Sequence, residues 1–219
     1  MKFGITDLIY RVPNFLSDSE CDSLIKEYEE RSTYAELEHC LDANTGIDTY
    51  STFTRLSLDE GTESYNFMFR KTEEAVNGYI KHLDSFGNFH SPLLRKAFLY
   101  SHAFRLLKYG VGDKIHPHTD HDTYIYGSVT FNLNDDYTGG VFKFFNGDYE
   151  VHLQKGEMMI WPADFFWVHE ITPVETGCRY STNSFLTSIP PYMMQEQTQN
   201  LRDIYDRDST CIPPAYQIK

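Results

Sequence analysis

His118-Thr119-Asp120, with His169 and then Arg179 downstream, is the set of side chains in this chain best suited to chemistry. On an extended strand, residues i and i+2 face the same side, so His118 and Asp120 can grip one ion. His169 would add a second imidazole. Two imidazoles and one carboxylate on one face of a metal leave three coordination positions open. That is the arrangement of non-haem Fe(II) sites, into which an organic acid and O2 enter. An arginine deeper in the same barrel, Arg179, would hold the far carboxylate of the acid through a bidentate pair.

Spacing alone is not decisive, because His82-Leu83-Asp84 repeats the pattern. Around it, Val76, Tyr79, Ile80 and Leu83 fall at i, i+3, i+4 and i+7, which predicts a helix. Helical positions i and i+2 point roughly 200° apart, so His82 and Asp84 cannot share an ion. The stretch HPHTDHD also offers His116, His121 and Asp122. His116 lies about 13 Å along an extended chain from Asp120, and His121 points to the opposite face from Asp120. Both read as loop residues or as residues surrounding the ligands. A structural zinc site would close four ligands and favour cysteine, and no cysteine adjoins this cluster. The competing reading is a polar surface turn with His169 satisfied in a core.

The elements that must position these groups change character along the chain. Residues 17 to about 33 begin with capping residues and continue as an amphipathic helix, and a second helix is expected from about Glu63 to Leu83. Residues 39–60, polar and rich in Gly and Thr, read as a long loop. From Ala103 the pattern turns to eight short strands: AFRLLKY, KIHPHTD, GSVTFNLN, GVFKFF, YEVHL, EMMIW, WVHEI and RYSTNSFL. This predicts a mainly β fold with N-terminal helices, a jelly roll (double-stranded β-helix, cupin-like). One domain over 1–219 is expected, with a helical support region 1–100, a β core 101–189 and an irregular C-terminal extension 190–219. Parity places Arg179, Ser181, Asn183 and Phe185 on one face of the last strand.

The chain has 219 residues, 41% of them hydrophobic, enough for one good core. Sixteen Tyr and sixteen Phe suit a β-rich barrel with a ring-lined mouth. A net charge of −13 argues against nucleic-acid backbones as partners. Cys21, Cys40, Cys178 and Cys211 are scattered and read as reduced thiols of a cytoplasmic protein. No stretch has the length of a signal-peptide core or a membrane span.

From about Phe104 to Leu186 the chain resembles the prolyl 4-hydroxylase-like branch of the Fe(II)/2-oxoglutarate-dependent dioxygenases. The resemblance rests on YGVGDKIHPHTD, on NLNDDYTGG and on KGEMMIWPADFFWVHEITPVETGCRYS. It implies a double-stranded β-helix with iron between its two sheets. It also implies His118, Asp120 and His169 as iron ligands, Arg179 as partner of the cosubstrate's C5 carboxylate and Tyr109 as a hydrogen-bonding neighbour of the cosubstrate. Two departures stand out. Collagen-type members commonly carry Lys where this chain has Arg179. The family's frequent Gly-Gly-x-Thr reads Gly139-Gly140-Val141-Phe142 here, so Thr130 or Ser181 would have to supply the missing hydroxyl. Gly139 and Gly140 themselves read as a tight turn.

The resemblance further implies Fe(II), 2-oxoglutarate and O2 as cofactor and cosubstrates, with ascorbate as reductant. The leading expectation is hydroxylation of a prolyl residue in a peptide or protein. A free amino acid or small metabolite is the alternative substrate, and a non-catalytic metal-binding jelly roll the alternative class. Nucleic-acid demethylases of the superfamily usually carry a second arginine six residues after the first, and position 185 is Phe. The sequence says nothing of oligomeric state.

Overall fold

Helix α1 (Asp18–Glu30) starts at a capping box: the Ser17 hydroxyl accepts from the Glu20 amide, and the Glu20 carboxylate accepts from the Ser17 amide at 2.7 Å. Its buried residues, Cys21, Leu24 and Tyr28, recur at helical spacing. Helix α2 (Glu63–Ser85), capped by Thr62, buries a stripe running through Met68, Thr72, Val76, Tyr79 and Leu83. A short α3 (Ser91–Ala97) follows. The computed structural model describes residues 4–41, 48–87, 90–120, 124–194, 196 and 199–200.

Thirteen strands are described: β1 (Tyr10–Val12), β2 (Glu36–Leu41), β3 (Asp48–Ser57), β4 (Tyr100–Tyr109), β5 (Ile115–His118), β6 (Ile125–Asn132), β7 (Thr138–Gly139), β8 (Phe142–Phe144), β9 (Tyr149–Val151), β10 (Met158–Pro162), β11 (His169–Ile171), β12 (Val174–Thr176) and β13 (Arg179–Thr187). They form a seven-stranded sheet in the order β1-β10-β6-β13-β4-β3-β2, a four-stranded sheet β5-β11-β8-β9 and a ribbon β12-β7. Each of the eight expected strands is present.

The large sheet is buried on both faces, and its parity sorts the two cores. Leu56, Phe104, Leu106, Phe131 and Ile160 pack against α1 and α2. Their strand neighbours Phe53, Leu107, Tyr109, Met159 and Trp161 pack against Phe142, Phe144 and Ile171 of the small sheet. This explains the unbroken apolar run Met158–Trp161, since a strand covered on both sides has no reason to alternate. The helices support one sheet from behind, and the space between the two sheets holds the candidate site.

Two expectations are corrected. Residues 39–60 are not a long loop, because β2 and β3 make an antiparallel hairpin on the edge of the large sheet. Their polarity misled. On β3, Ser51 and Phe53 turn toward the small sheet while Leu56 turns toward the helices, and Thr54 meets Tyr28 Oη at 2.5 Å. Threonines and aromatics are good strand formers whatever their hydropathy. The tail after Ile189 is not wholly irregular either, since residues 191–194 are helical. His121, Asp122 and Cys211, together with the side chain of Cys40, lie outside the described residues. Cys21 and Cys178 are free thiols.

Candidate active site

His118 ends β5, His169 begins β11, and the two are direct cross-strand partners. Asp120 lies two residues past the end of β5 rather than on it, so the expected strand stops two residues short of it. The chain nevertheless brings the carboxylate back. His118 Nε2 stands 3.4 Å from Asp120 Oδ1, and His169 Nε2 stands 3.6 Å from Asp120 Oδ2. The three donor atoms lie within 4.8 Å of one another, the one such cluster among the described residues. Donors on a common ion with bonds of ~2.0–2.2 Å must stand about 3–4 Å apart, so the cluster fits a cation.

The tautomers fit as well. His118 Nδ1 is 2.8 Å from the carbonyl of His116, and His169 Nδ1 is 3.0 Å from that of Trp167. An Nδ1–H donated to a carbonyl leaves the Nε2 lone pair for a metal. His169 is buried, and burial together with its neighbour His118 pushes its imidazole down to about 4, so it is neutral at physiological pH. Burial opposes the Asp120 charge, but both imidazoles and the Ser128 hydroxyl outweigh it and hold the carboxyl below the usual carboxylate range. Ser128 donates to Asp120 Oδ2 at 2.6 Å. Sequence reasoning missed Ser128, whose signal was the alternation Ser128, Thr130, Asn132 along β6. His116 contributes its carbonyl and not its ring, and His82 sits elsewhere with Nε2 2.7 Å from the Asp7 carbonyl.

The cluster opens into a cavity of about 280 Å³ between the sheets, lined among others by Tyr109, Thr130, Phe142, Trp161 and Ser181. Behind this lining Arg179 is 1% exposed, and none of its three nitrogens has a hydrogen-bond partner. Its guanidinium lies 5.1 Å from the Tyr109 ring and 5.2 Å from that of Phe142. A buried guanidinium with empty donors is costly and calls for an anionic partner. Gly140 makes room for it, since a Cβ there would come 2.9 Å from Arg179 Cδ. The Gly-Gly turn therefore does more than reverse the chain. Gly139, at φ +74°, backs onto the Pro173 carbonyl, which a Cβ would meet at 2.1 Å.

Tyr109 pairs with Arg179 across β4 and β13 and stacks on Phe53 at 4.3 Å. Burial pushes its phenol well up, against the pull of Arg179, so it remains a proton donor. The Ser181 hydroxyl is buried without a partner, whereas Thr130 already donates to the Thr182 carbonyl at 2.8 Å. Of the two hydroxyls expected to replace the missing threonine, Ser181 is the one free to do so. Phe142, at that threonine's position, instead covers the Arg179 guanidinium. In the aromatic run, Trp161 and Trp167 are buried, while Phe165 and Phe166 are exposed.

Comparison with known proteins follows the same lines. Residues 104–187 match the 2OG-Fe(II) oxygenase superfamily. In three dimensions the chain is similar to a prolyl hydroxylase from Trichoplax adhaerens solved in complex with a hypoxia inducible factor oxygen degradation domain peptide fragment, at 15% identity and TM-score 0.62, covering 84% of each chain. It is also similar to a Pseudomonas putida prolyl-4-hydroxylase, at 18% identity and TM-score 0.58, covering 84% of this chain and 94% of that one. A third likeness is to a viral collagen prolyl hydroxylase from Paramecium Bursaria Chlorella virus-1 in its 2OG complex, at 16% identity and TM-score 0.58, covering 85% and 100%. These likenesses establish the double-stranded β-helix. No curated protein sequence matches the chain.

Proposed function

For a chain whose residues 104–187 match the 2OG-Fe(II) oxygenase superfamily, we propose an Fe(II)- and 2-oxoglutarate-dependent dioxygenase that hydroxylates a prolyl residue in a peptide or protein. The observation that carries it is the fully buried, unpartnered Arg179 behind a cluster of two imidazoles and one carboxylate. Neither feature makes sense alone. A cation with three empty donors needs an acid, and a facial triad leaves positions for that acid and for O2.

His118, Asp120 and His169 would hold the iron, and Arg179, with Tyr109 and Ser181 beside it, would hold the distal carboxylate of 2-oxoglutarate. When bound, these groups and O2 supply oxidative decarboxylation of 2-oxoglutarate to succinate and CO2, coupled to hydroxylation of a C–H bond. The protein's part is placement. His169 offers a neutral lone pair, Ser128 fixes one oxygen of Asp120, and the phenyl and indole rings of Phe142 and Trp161 exclude water around the reacting centre. Ascorbate is the reductant expected to sustain turnover.

Two considerations favour a peptide. The cavity of about 280 Å³ falls just under the ~300–1,000 Å³ usual for small-molecule sites, so the cosubstrate fills much of it. The hydroxylated group then has to reach in from the mouth, as a residue on an extended segment does. The Trichoplax protein was solved with a peptide fragment. Proline-rich segments are already extended and dock on aromatic surfaces at low entropic cost.

Incubation with Fe(II), ascorbate, 2-oxoglutarate and a peptide panel, followed by mass spectrometry, tests the reading. The expected result is a +O adduct on proline with one succinate released per adduct. Succinate release with free L-proline alone would replace the peptide by an amino acid. Stimulation by single-stranded oligonucleotides would overturn the inference drawn from the net charge of −13.

A further inference from the structure

The cavity has an arginine in its wall besides the one behind it, and the chemistry above gives it nothing to do. Arg105 on β4 has a side chain only 11% exposed and lines the same cavity as His118, Asp120 and His169. It is held from three sides. Nη1 donates to Glu38 Oε2 on β2, Nε donates to Asn183 Oδ1 at 3.0 Å, and the guanidinium lies 5.0 Å from the Phe185 ring. Among the described residues Nη2 has no hydrogen-bond partner.

The carboxylate that holds it is shared. Glu38 also stands 3.3 Å from Arg55 Nε, so one carboxylate serves two guanidiniums. The other acid near Arg55 is Glu36 at 3.5 Å, whose side chain is 73% exposed. Asp120 also pulls on Arg105 from the metal cluster, and burial opposes its charge, but a guanidinium stays protonated in a protein. Among the described residues, the one carboxylate hydrogen-bonded to Arg105 is therefore shared with Arg55, and the guanidinium's charge is only partly met at this wall.

The cosubstrate cannot account for it. In the β4–β13 register Arg179 pairs with Tyr109 and Asn183 pairs with Arg105, which sets the two levels four residues, or about 13 Å, apart. The guanidiniums do not converge. Arg179 is clasped at its own level between Tyr109 and Phe142, and Arg105 leans over Phe185, away from Arg179. A five-carbon diacid spans about 5 Å between its carboxyl carbons at ~1.5 Å per bond. One acid bound at Arg179 leaves Arg105 vacant.

We propose that Arg105 orients the molecule that is hydroxylated, donating from Nη2 to a carboxyl-type oxygen next to the target carbon, a backbone carbonyl in a peptide or a carboxylate in a free acid. The proposal rests on the dioxygenase reading above and deepens it. Glu38 and Asn183 are then positioning residues that hold the guanidinium in its binding geometry before the substrate arrives, so little rotamer entropy remains to be lost on binding.

The test is binding, under argon, to protein loaded with Fe(II) and 2-oxoglutarate, using four probes: N-acetyl-L-proline, its methylamide, N-acetylglycine and its methylamide. Arg105→Gln should weaken the probes that bind by at least about tenfold, or ~1.4 kcal/mol, and leave the affinity for 2-oxoglutarate within about twofold. Arg105→Lys, which keeps the charge beside Glu38 and lacks the fork, should fall between, and it carries the test if the glutamine variant does not fold. An Arg105-dependent loss shared by acid and methylamide identifies a carbonyl, and a loss confined to the acids identifies a carboxylate. Glycine probes that bind as tightly as proline probes, with the same dependence on Arg105, sink the prolyl reading and uphold this one. Wild-type protein that takes up no probe overturns the proposal. So do an Arg105→Gln variant that binds every probe as wild type does and one that loses 2-oxoglutarate as well.

Discussion

Replacing Arg179 with methionine should move stability and cosubstrate affinity in opposite directions. In the unliganded protein the Arg179 guanidinium is 1% exposed with three unpartnered nitrogens. Leaving a buried donor unsatisfied costs ~1–3 kcal/mol for each of the three nitrogens, more for a charged group, and two ring contacts return ~0.5–2 kcal/mol each. A methionine removes the cost and keeps much of the packing against Tyr109 and Phe142, so a net gain of about 1–2 kcal/mol is expected. For a chain of 219 residues that raises the apo melting temperature by ~2–8 °C. The ligand response should collapse in return. Two charge-assisted hydrogen bonds at ~1.5–3 kcal/mol each make the affinity loss at least about 100-fold. At a 2-oxoglutarate concentration near 100 times the wild-type Kd, wild type gains ~2.7 kcal/mol, and the variant, with ligand then near its own Kd, gains only ~0.4. Thermal melts with and without 2-oxoglutarate in the presence of Mn(II) measure both effects at once. Arg179→Lys should recover part of the ligand shift, because a point charge replaces the fork. An Arg179→Met protein that melts below apo wild type and keeps the wild-type ligand shift would refute the reasoning.

Other perturbations test the rest of the site. His118→Ala and His169→Ala should each abolish binding of one iron per chain by elemental analysis, whereas His82→Ala and His116→Ala should retain it, and iron kept by His118→Ala would discard the cluster as the metal site. Ser128→Ala removes the 2.6 Å hydrogen bond to Asp120 and should weaken metal binding ~10–100-fold in chelator competition; unchanged affinity would show that the carboxylate is fixed by its backbone alone. Gly139→Ala places a Cβ 2.1 Å from the Pro173 carbonyl at φ +74°, for an expected loss of at least ~2 kcal/mol and ~4–8 °C in melting temperature. A melt within 1 °C of wild type would mean that the β7–β12 ribbon shifts freely.

That His118, Asp120 and His169 come together was legible because the geometry is local. His118 and Asp120 need only a short extended segment, and His169 and Arg179 lie on strands whose alternation is plain. The β2–β3 hairpin was not legible, because its outer residues are polar and the inward Phe53 stacks on Tyr109, far away in sequence. Ser128 and Arg105 were missed for the same reason. A serine on a strand looks the same whether its hydroxyl meets water or Asp120, eight positions away. An arginine on a strand is usually a surface charge, and what marks Arg105 is Glu38, which reaches it from 67 positions earlier. Hydropathy records what a residue is, and these roles depend on what stands opposite it.

That dependence makes strand register the variable on which the site turns. Arg179, Ser181, Asn183 and Phe185 descend one face of β13. Opposite them the same register sets Tyr109 and Arg105 on β4 and Thr130 and Ser128 on β6. A slip of one residue would send Arg179 among the apolar side chains under the helices and bring Tyr180 and Thr182 into the cavity. The sheet resists such a slip from both faces, because Leu106, Phe131 and Leu186 are locked into the helical core while Leu107 and Tyr109 are locked into the other. The helices are remote from the candidate site, yet by burying the even face of β4 they fix which face of β13 looks toward His118, Asp120 and His169.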